Sequence, residues 1–314
     1  MATIAGLERM PIGAWPTEVR RLDVVSQELG VETWAKSEET AGAWGGNKVR
    51  KLEFILHAAR QDGIRTLVSW GTGSSNWTAA LALHGALAGF KISLGLGGPV
   101  PIDYRALYER LRVDLIRMPR LTLAPLALAV ARSRVTHDAR FVPVGGSGTI
   151  GDIGTAQLGE EIAQQAGDEL PAPRAVFVAA GSTGTAAGLA VGLGRARLRV
   201  PVIAVKVSEW PYGSRALLNR RLNRVLSHAT DLGLGRIHPV PIVLDTDHLG
   251  RGYGKPTPES RAAIELAARD GLVLDPTYAA KAFAALVTAA RRGHEGPYLF
   301  VATSPSRPVP LPTA

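Results

Sequence analysis

The sequence contains no cysteine. Disulfides, Cys-ligated zinc, iron–sulfur clusters and thiol nucleophiles are thereby excluded together. It also lacks a long apolar run. A membrane-spanning helix needs about 20 such residues, and the longest candidate, 79–90, is broken by His84, Gly85 and Gly89. The opening MATIAGLERMPIG has no basic stretch ahead of an apolar core, so no secretory leader is expected and cytoplasm is the expected location. Lysine is scarce, with only 7 among 36 basic residues. The arginines occur singly or in pairs such as Arg20-Arg21, Arg220-Arg221 and Arg291-Arg292, without interleaved aromatics to stack on bases. The net charge of +9 therefore reads as solvated surface that helps to hold anionic small molecules, and not as a nucleic-acid interface. Histidines such as His57, His84, His137 and His228 show no metal-ligand spacing, so no metal site is expected.

What is present is an ordinary globular balance, 46% hydrophobic and 20% charged over 314 residues. That is enough chain for one large or two modest domains, and it excludes disorder, collagen and coiled coil as the main architecture. Short β-branched or apolar runs at 66–70, 91–96, 113–117, 140–144, 175–180, 201–206 and 298–302 read as strands. Between them, 48–61, 76–88, 104–111, 153–165, 185–194, 214–229, 258–268 and 279–291 read as helices. This alternation predicts an α/β fold with parallel sheets covered on both faces. The Gly-rich stretch 144–154 and the prolyl stretch 168–174 are candidate domain crossovers, and the proline-rich tail 304–314 reads as extended.

Ligands in open parallel sheets sit at the carboxyl ends of strands, so the loops there matter most. Gly181, Ser182, Thr183, Gly184 and Thr185 follow an apolar strand and open a helix. Backbone amides, hydroxyls and a helix N-terminus make that loop a phosphate cradle, without the Gly-Lys-Ser/Thr of a Walker loop. Lys48 stands at a helix start behind Gly45 and Gly46. An ammonium is disfavoured at that end of the helix dipole, so its pKa should fall, which suits an amine nucleophile. Lys51 lies one turn on, although two helix lysines taken alone read as surface charges. Ser75 and Asn76 close the loop after strand 66–70, with hydroxyls and amides suited to a carboxylate. Tyr278 follows Asp275 at another helix entry, with Tyr253 upstream. The run from Gly146 to Gly151 matches the dinucleotide glycine pattern, but no strand about 20 residues on ends in an acid, so a nicotinamide site is not adopted.

PTEVRRLDVVSQELG, WAKSEE, GGNKVRKLEFIL, LVSWGTGSSNWTAALALHG, FVAAGSTGTAAGLAVGLG and LDPTYAAKAF occur in this order across nearly the whole chain. Together they resemble the fold-type II pyridoxal phosphate enzymes, and most closely the branch holding 1-aminocyclopropane-1-carboxylate (ACC) deaminase and D-cysteine desulfhydrase. The resemblance implies two open, mostly parallel twisted sheets with flanking helices, as in the tryptophan synthase β fold. It places 1–62 and 151–314 in a large cofactor-binding domain and 63–150 in a small one. Pyridoxal 5'-phosphate is the implied cofactor. Lys48 matches the lysine that carries it covalently and moves the Cα proton, and Lys51 matches a second lysine nearby. Residues Gly181 to Thr185 match the phosphate cradle. Asn76 matches the partner of the cofactor's 3-oxygen, and Ser75 the serine that contacts substrate carboxylate or assists proton transfer. Tyr253 and Tyr278 match two active-site tyrosines.

Four departures bear on the reaction. Ala279 stands where the deaminase has a glutamate facing the pyridine nitrogen, and Thr303 occupies a stretch that differs from the family's Gly-Gly loop. A neutral Thr303 hydroxyl leaves that nitrogen largely unprotonated and the ring a weaker electron sink, which favours expulsion of a β-leaving group over ring opening. The segment 97–140 is short and lacks the usual Gly-Asn pair, and Trp77 replaces a smaller polar residue beside the substrate loop, so an altered pocket is expected. The implied activity is a lyase that eliminates the β-substituent of D-cysteine or a related small amino acid, giving an oxoacid, ammonia and the leaving group. ACC deamination, biosynthetic β-replacement and a non-catalytic cofactor-binding paralogue are the alternatives. A homodimer is implied by the resemblance alone.

Overall fold

The computed structural model describes residues 3–118, 137–209, 211–293 and 295–303. The expected tail 304–314 lies outside them. Two sheets organise the chain. The first takes β1 (Val19–Arg21), β2 (Thr33–Ser37), β7 (Ala175–Ala180), β8 (Val202–Lys206), β9 (Ile242–Asp245) and β10 (Tyr298–Ala302). Their order is β1-β2-β10-β7-β8-β9, parallel except for the β1–β2 pair. The second takes β3 (Thr66–Thr72), β4 (Lys91–Gly97), β5 (Asp114–Met118) and β6 (Ala139–Phe141) in the order β5-β4-β3-β6, all parallel.

Strands buried on both faces must be apolar at every position, and AVFVAA of β7 is. Ala175 and Phe177 pack with α9 (Ala279–Arg291) on one face, as do Tyr298 and Phe300 of β10. The alternate residues Val176, Val178, Leu299 and Val301 pack with α6 (Gly184–Arg195) on the other. Phe283 of α9 meets Phe300 edge to face, with ring centroids 5.1 Å apart. The four-stranded sheet has its own core, where Leu67, Ile92, Leu94 and Leu96 pack with α3 (Asn76–Leu87) and α4 (Ile102–Arg110). Leu52, Ile55, Leu56 and Ala59 of α2 (Asn47–Gln61) join that core.

Helix α5 (Thr149–Gln165) crosses between the sheets and lies directly on α6. A Cβ on Gly192 would sit 1.8 Å from the Ala156 carbonyl oxygen. Only glycine permits this approach, and Gly188 repeats it one turn nearer the cradle loop, where a Cβ would sit 2.4 Å from the Asp152 carbonyl oxygen in the first turn of α5.

Beneath α2 lies a cluster of fully or nearly fully buried charges. Arg50 Nε donates to Glu38 Oε2 at 2.7 Å and Arg50 Nη2 to Glu161 Oε1 at 2.8 Å. Lys36 Nζ donates to Glu161 Oε1, Gln165 Oε1 and the Thr17 carbonyl. Two cations face two carboxylates, so the cluster is neutral, as burial requires. Burial alone would raise the Glu161 pKa, but Arg50 and then Lys36 outweigh it and hold the carboxyl at about 2, against 4.5 for a free glutamate. A depressed folded-state pKa gives stability that is present above about 4.5 and drains as pH falls toward 2. Glu161→Gln is expected to flatten the acid limb of stability in that window, read by urea unfolding at stepped pH; an unchanged limb would contradict the assignment.

Several elements differ from expectation. Helix α5 starts at Thr149, and β6 ends at Phe141. Strands β1, β2 and β9 and helix α1 (Asp23–Leu29) had no reading in the sequence. The run from Gly146 to Gly151 is a packing device, since Gly146 lies against the Trp77 ring. Trp77 itself does not remodel a pocket. It is buried in the core of the four-stranded sheet, and its Nε1 donates to Ser69 Oγ at 2.9 Å. No described helix is long and apolar enough to cross a membrane.

Candidate active site

Lys48 occupies the first turn of α2, after Gly46 at φ +99°, a conformation that a side chain would strain. Its Nζ donates to Asn47 Oδ1 at 2.8 Å, and Asn47 Nδ2 donates to Thr185 Oγ1 at 2.6 Å. The amine and the cradle are thus two hydrogen bonds apart. The Asn47 amide N–H also donates to the Thr303 carbonyl at 3.1 Å, which brings the end of β10 to the same place. Lys48 is half-buried. Burial first, and then repulsion from Lys51, lower its pKa to about 7, with Asp152 and Asp275 pulling partly back. The expected fall is present, but its leading cause is lost hydration and not the helix dipole.

The cradle is built by strain. Thr183 has φ +64° and ψ −10°, a left-handed conformation rare for a β-branched residue. The amides of Ser182, Thr183, Gly184 and Thr185 donate to no acceptor among the described residues. Lys51 is no surface charge. Fully buried, it donates to Ser147 Oγ at 2.8 Å and Asp152 Oδ1 at 2.9 Å. Ser147 Oγ lies 2.6 Å from Ser182 Oγ, which carries the contact into the cradle.

Across the cradle, Tyr278 Oη lies 2.5 Å from Tyr253 Oη. A Cβ on Gly181 would lie 3.4 Å from the Tyr278 ring. Burial, Tyr253 and Asp275 push the Tyr278 pKa well up, so this phenol keeps its proton. Asp275 accepts from the amides of Thr277, Tyr278 and Ala279, capping α9. From the other sheet, Ser75 caps α3, and Asn76 Oδ1 accepts from Tyr104 Oη at 2.7 Å.

Lys48, Lys51, Thr303, the 181–185 loop and the two tyrosines therefore converge. Asn76 approaches through Tyr104, whose phenol feels Asp275 and Tyr253 across the cleft, while the Ser75 side chain beside it is engaged in capping α3. Sequence reasoning left out Asn47, Tyr104, Ser147, Asp152 and Asp275. Asn47 and Asp275 stood inside motifs already singled out. Asp152, a lone acid between the helix glycines Gly151 and Gly154, was the available signal for a buried partner of Lys51.

Two open, largely parallel sheets meeting at a poised amine and a backbone anion cradle define an α/β enzyme built to hold a phosphorylated carbonyl compound. The model of the family described as pyridoxal-phosphate dependent enzyme matches residues 11–304, and the chain belongs to that family and takes its cofactor. It is 35% identical to a D-cysteine desulfhydrase of Klebsiella pneumoniae subsp. pneumoniae over 96% of each chain. Among solved structures, an ACC deaminase homologue superposes with a TM-score of 0.85 at 27% identity, covering 96% of this chain and 93% of that one. Isoform 2 of threonine deaminase from Solanum lycopersicum shares the fold alone, at 16% identity and a TM-score of 0.68 over 95% and 85%. The residues present fit the cofactor. Unpartnered amides, Ser182 and the Lys51–Ser147 pair suit the phosphate, and the Lys48 amine suits the aldehyde.

Proposed function

We propose that this protein is a pyridoxal phosphate-dependent lyase that eliminates the β-substituent of D-cysteine or a closely related amino acid. With D-cysteine and one water, the products are pyruvate, ammonia and hydrogen sulfide. The observation that carries the reading is the Lys48–Asn47–Thr185 hydrogen-bond chain, which joins a nucleophilic amine to a phosphate cradle. The Klebsiella desulfhydrase relative supports the choice of substrate. Bound pyridoxal phosphate supplies the electron sink for the pair left at Cα.

The chain's own groups do the rest. Lys48, half neutral near pH 7, takes the Cα proton. The Ser75 loop holds the substrate carboxylate, which fixes the Cα–H bond toward that amine. Tyr278, paired with Tyr253, holds a proton for the departing sulfur. Lys51, through Ser147, and residues 181–185 would anchor the phosphate, while Asn76 would donate to the 3-oxygen. At the ring nitrogen, Ala279 would offer only a methyl group and Thr303 a neutral hydroxyl, which would favour expulsion at Cβ over storage of charge. The same reading divides the chain into 1–62 with 151–314, and 63–150. Strand membership of the two sheets supports that division, although α2 packs into the core of the smaller sheet. It also includes a homodimer in the cytoplasm.

The test is a product assay on purified holoenzyme. Sulfide and pyruvate from D-cysteine are expected in equal amounts. Ammonia and oxobutyrate from ACC, without sulfide from D-cysteine, would overturn the reading. So would transfer of an added thiol in place of hydrolysis, or no turnover of either substrate.

A further inference from the structure

Tyr104 lies outside every motif that pointed to the site. It stands in the first turn and a half of α4, half-buried, with its ring edge-on to Trp44 at 5.3 Å and tilted toward Tyr108 at 6.5 Å. The two aromatic neighbours fix the ring, so its hydroxyl has a set position. That hydroxyl donates to Asn76 Oδ1 at 2.7 Å, while Asn76 Nδ2 donates to nothing among the described residues.

A side-chain amide has one acceptor end and one donor end, and a partner at one end decides what the other offers. Burial first, then Asp275 and Tyr253, push the Tyr104 pKa to about 12, so the phenol remains a donor throughout the working pH range. As the amide stands, its oxygen faces the phenol and accepts that proton. The amide nitrogen is left for the cleft.

We propose that Tyr104 is a positioning residue for the cofactor: its hydroxyl locks Asn76 so that the amide donates to, and never faces with its own oxygen, the 3-oxygen of the pyridine ring. The inference rests on the cofactor reading given above. It assigns a role to a residue of the shortened 97–140 segment, and it makes the cofactor's protonation state depend on a hydroxyl that does not touch the cofactor. A donor at the 3-oxygen stabilises its anionic form and lowers the pH at which the bound cofactor deprotonates. Freed of Tyr104, the amide samples both orientations and the advantage is lost.

The experiment is a pH titration of the visible absorbance of the holoenzyme, comparing Tyr104→Phe with the parent. Phenylalanine keeps the contact with Trp44 and removes only the hydroxyl. The midpoint is expected to rise by about one pH unit, the size of one hydrogen bond to a charged group. Asn76→Ala should produce a similar rise, and the double variant no further rise, because the two residues act as one unit. Thermal unfolding of each variant is followed in parallel. A Tyr104→Phe midpoint equal to the parent's overturns the proposal, as do rises that add in the double variant. Lowered thermal stability with an unmoved midpoint assigns Tyr104 a merely structural role and also overturns it. Should Tyr104→Phe fail to fold, Tyr104→His, which retains a ring donor, must hold the parent midpoint, and a shifted one counts against the proposal. If the parent protein shows no visible absorbance from bound pyridoxal phosphate, it is the cofactor reading that fails.

Discussion

Lys48→Ala is expected to abolish the visible absorbance of bound pyridoxal phosphate and to lower D-cysteine turnover by at least about 10²–10⁴-fold, the range for loss of a positioned proton-transfer group. The site explains why nothing nearby compensates. Lys51, the nearest other amine in the site, is committed to Asp152 and Ser147. Reductive trapping of the parent followed by peptide mapping should place the label on Lys48, and a label on Lys51 would reject the assignment. Only a neutral amine attacks an aldehyde. Because the Lys48 pKa is lowered to about 7, capture of the cofactor by apoprotein should rise with pH and level off above neutrality. An ordinary lysine would still be climbing at pH 10.

Arg50→Leu should destabilise the protein by about 3–5 kcal/mol, measured by urea unfolding, as expected for removal of one partner from a buried charge cluster. The guanidinium holds Glu38 and Glu161 and lies 3.8 Å over the Trp15 ring. Without it, two carboxylates share the single ammonium of Lys36. A loss below about 1 kcal/mol would mean that the carboxyls simply take up protons, and the cluster would then be less costly to break than buried pairs usually are. The consequence reaches the site, because Arg50 and Lys48 share the first turns of α2.

Helices α8 (Pro258–Ala268) and α9 begin and end where the sequence placed them. Their starts are local. Thr257 and Ser260 form a capping box with Pro258 between them, and Asp275 caps α9 within four residues. Strand β7 was equally plain, since both of its faces are covered and every residue is apolar. Strand β2 was hidden for the opposite reason. Lys36 and Ser37 are buried in it, and the group that makes a buried lysine tolerable, Glu161, is 125 residues away. Asp152 was hidden in the same way, since its partner Lys51 is 101 residues distant. The site loops could be read because glycines and hydroxyls at strand ends have a local physical meaning. Their supporting shell could not, because a salt bridge between remote segments leaves no periodic trace. Trp77 shows the limit of reasoning by neighbourhood. One residue past Asn76 on a helix is about 100° around the axis, enough to face the core instead of the cleft.

Asn47 has a mechanical consequence. One planar carboxamide is bonded to the ammonium at 48 through its oxygen and to the hydroxyl at 185 through its nitrogen, so the clamps for the aldehyde and for the phosphate share a rigid strut. Any sliding of α2 along α6 would be felt at both ends of the vitamin at once. Transplanting this grip into another scaffold would therefore mean moving both helix starts as a single block.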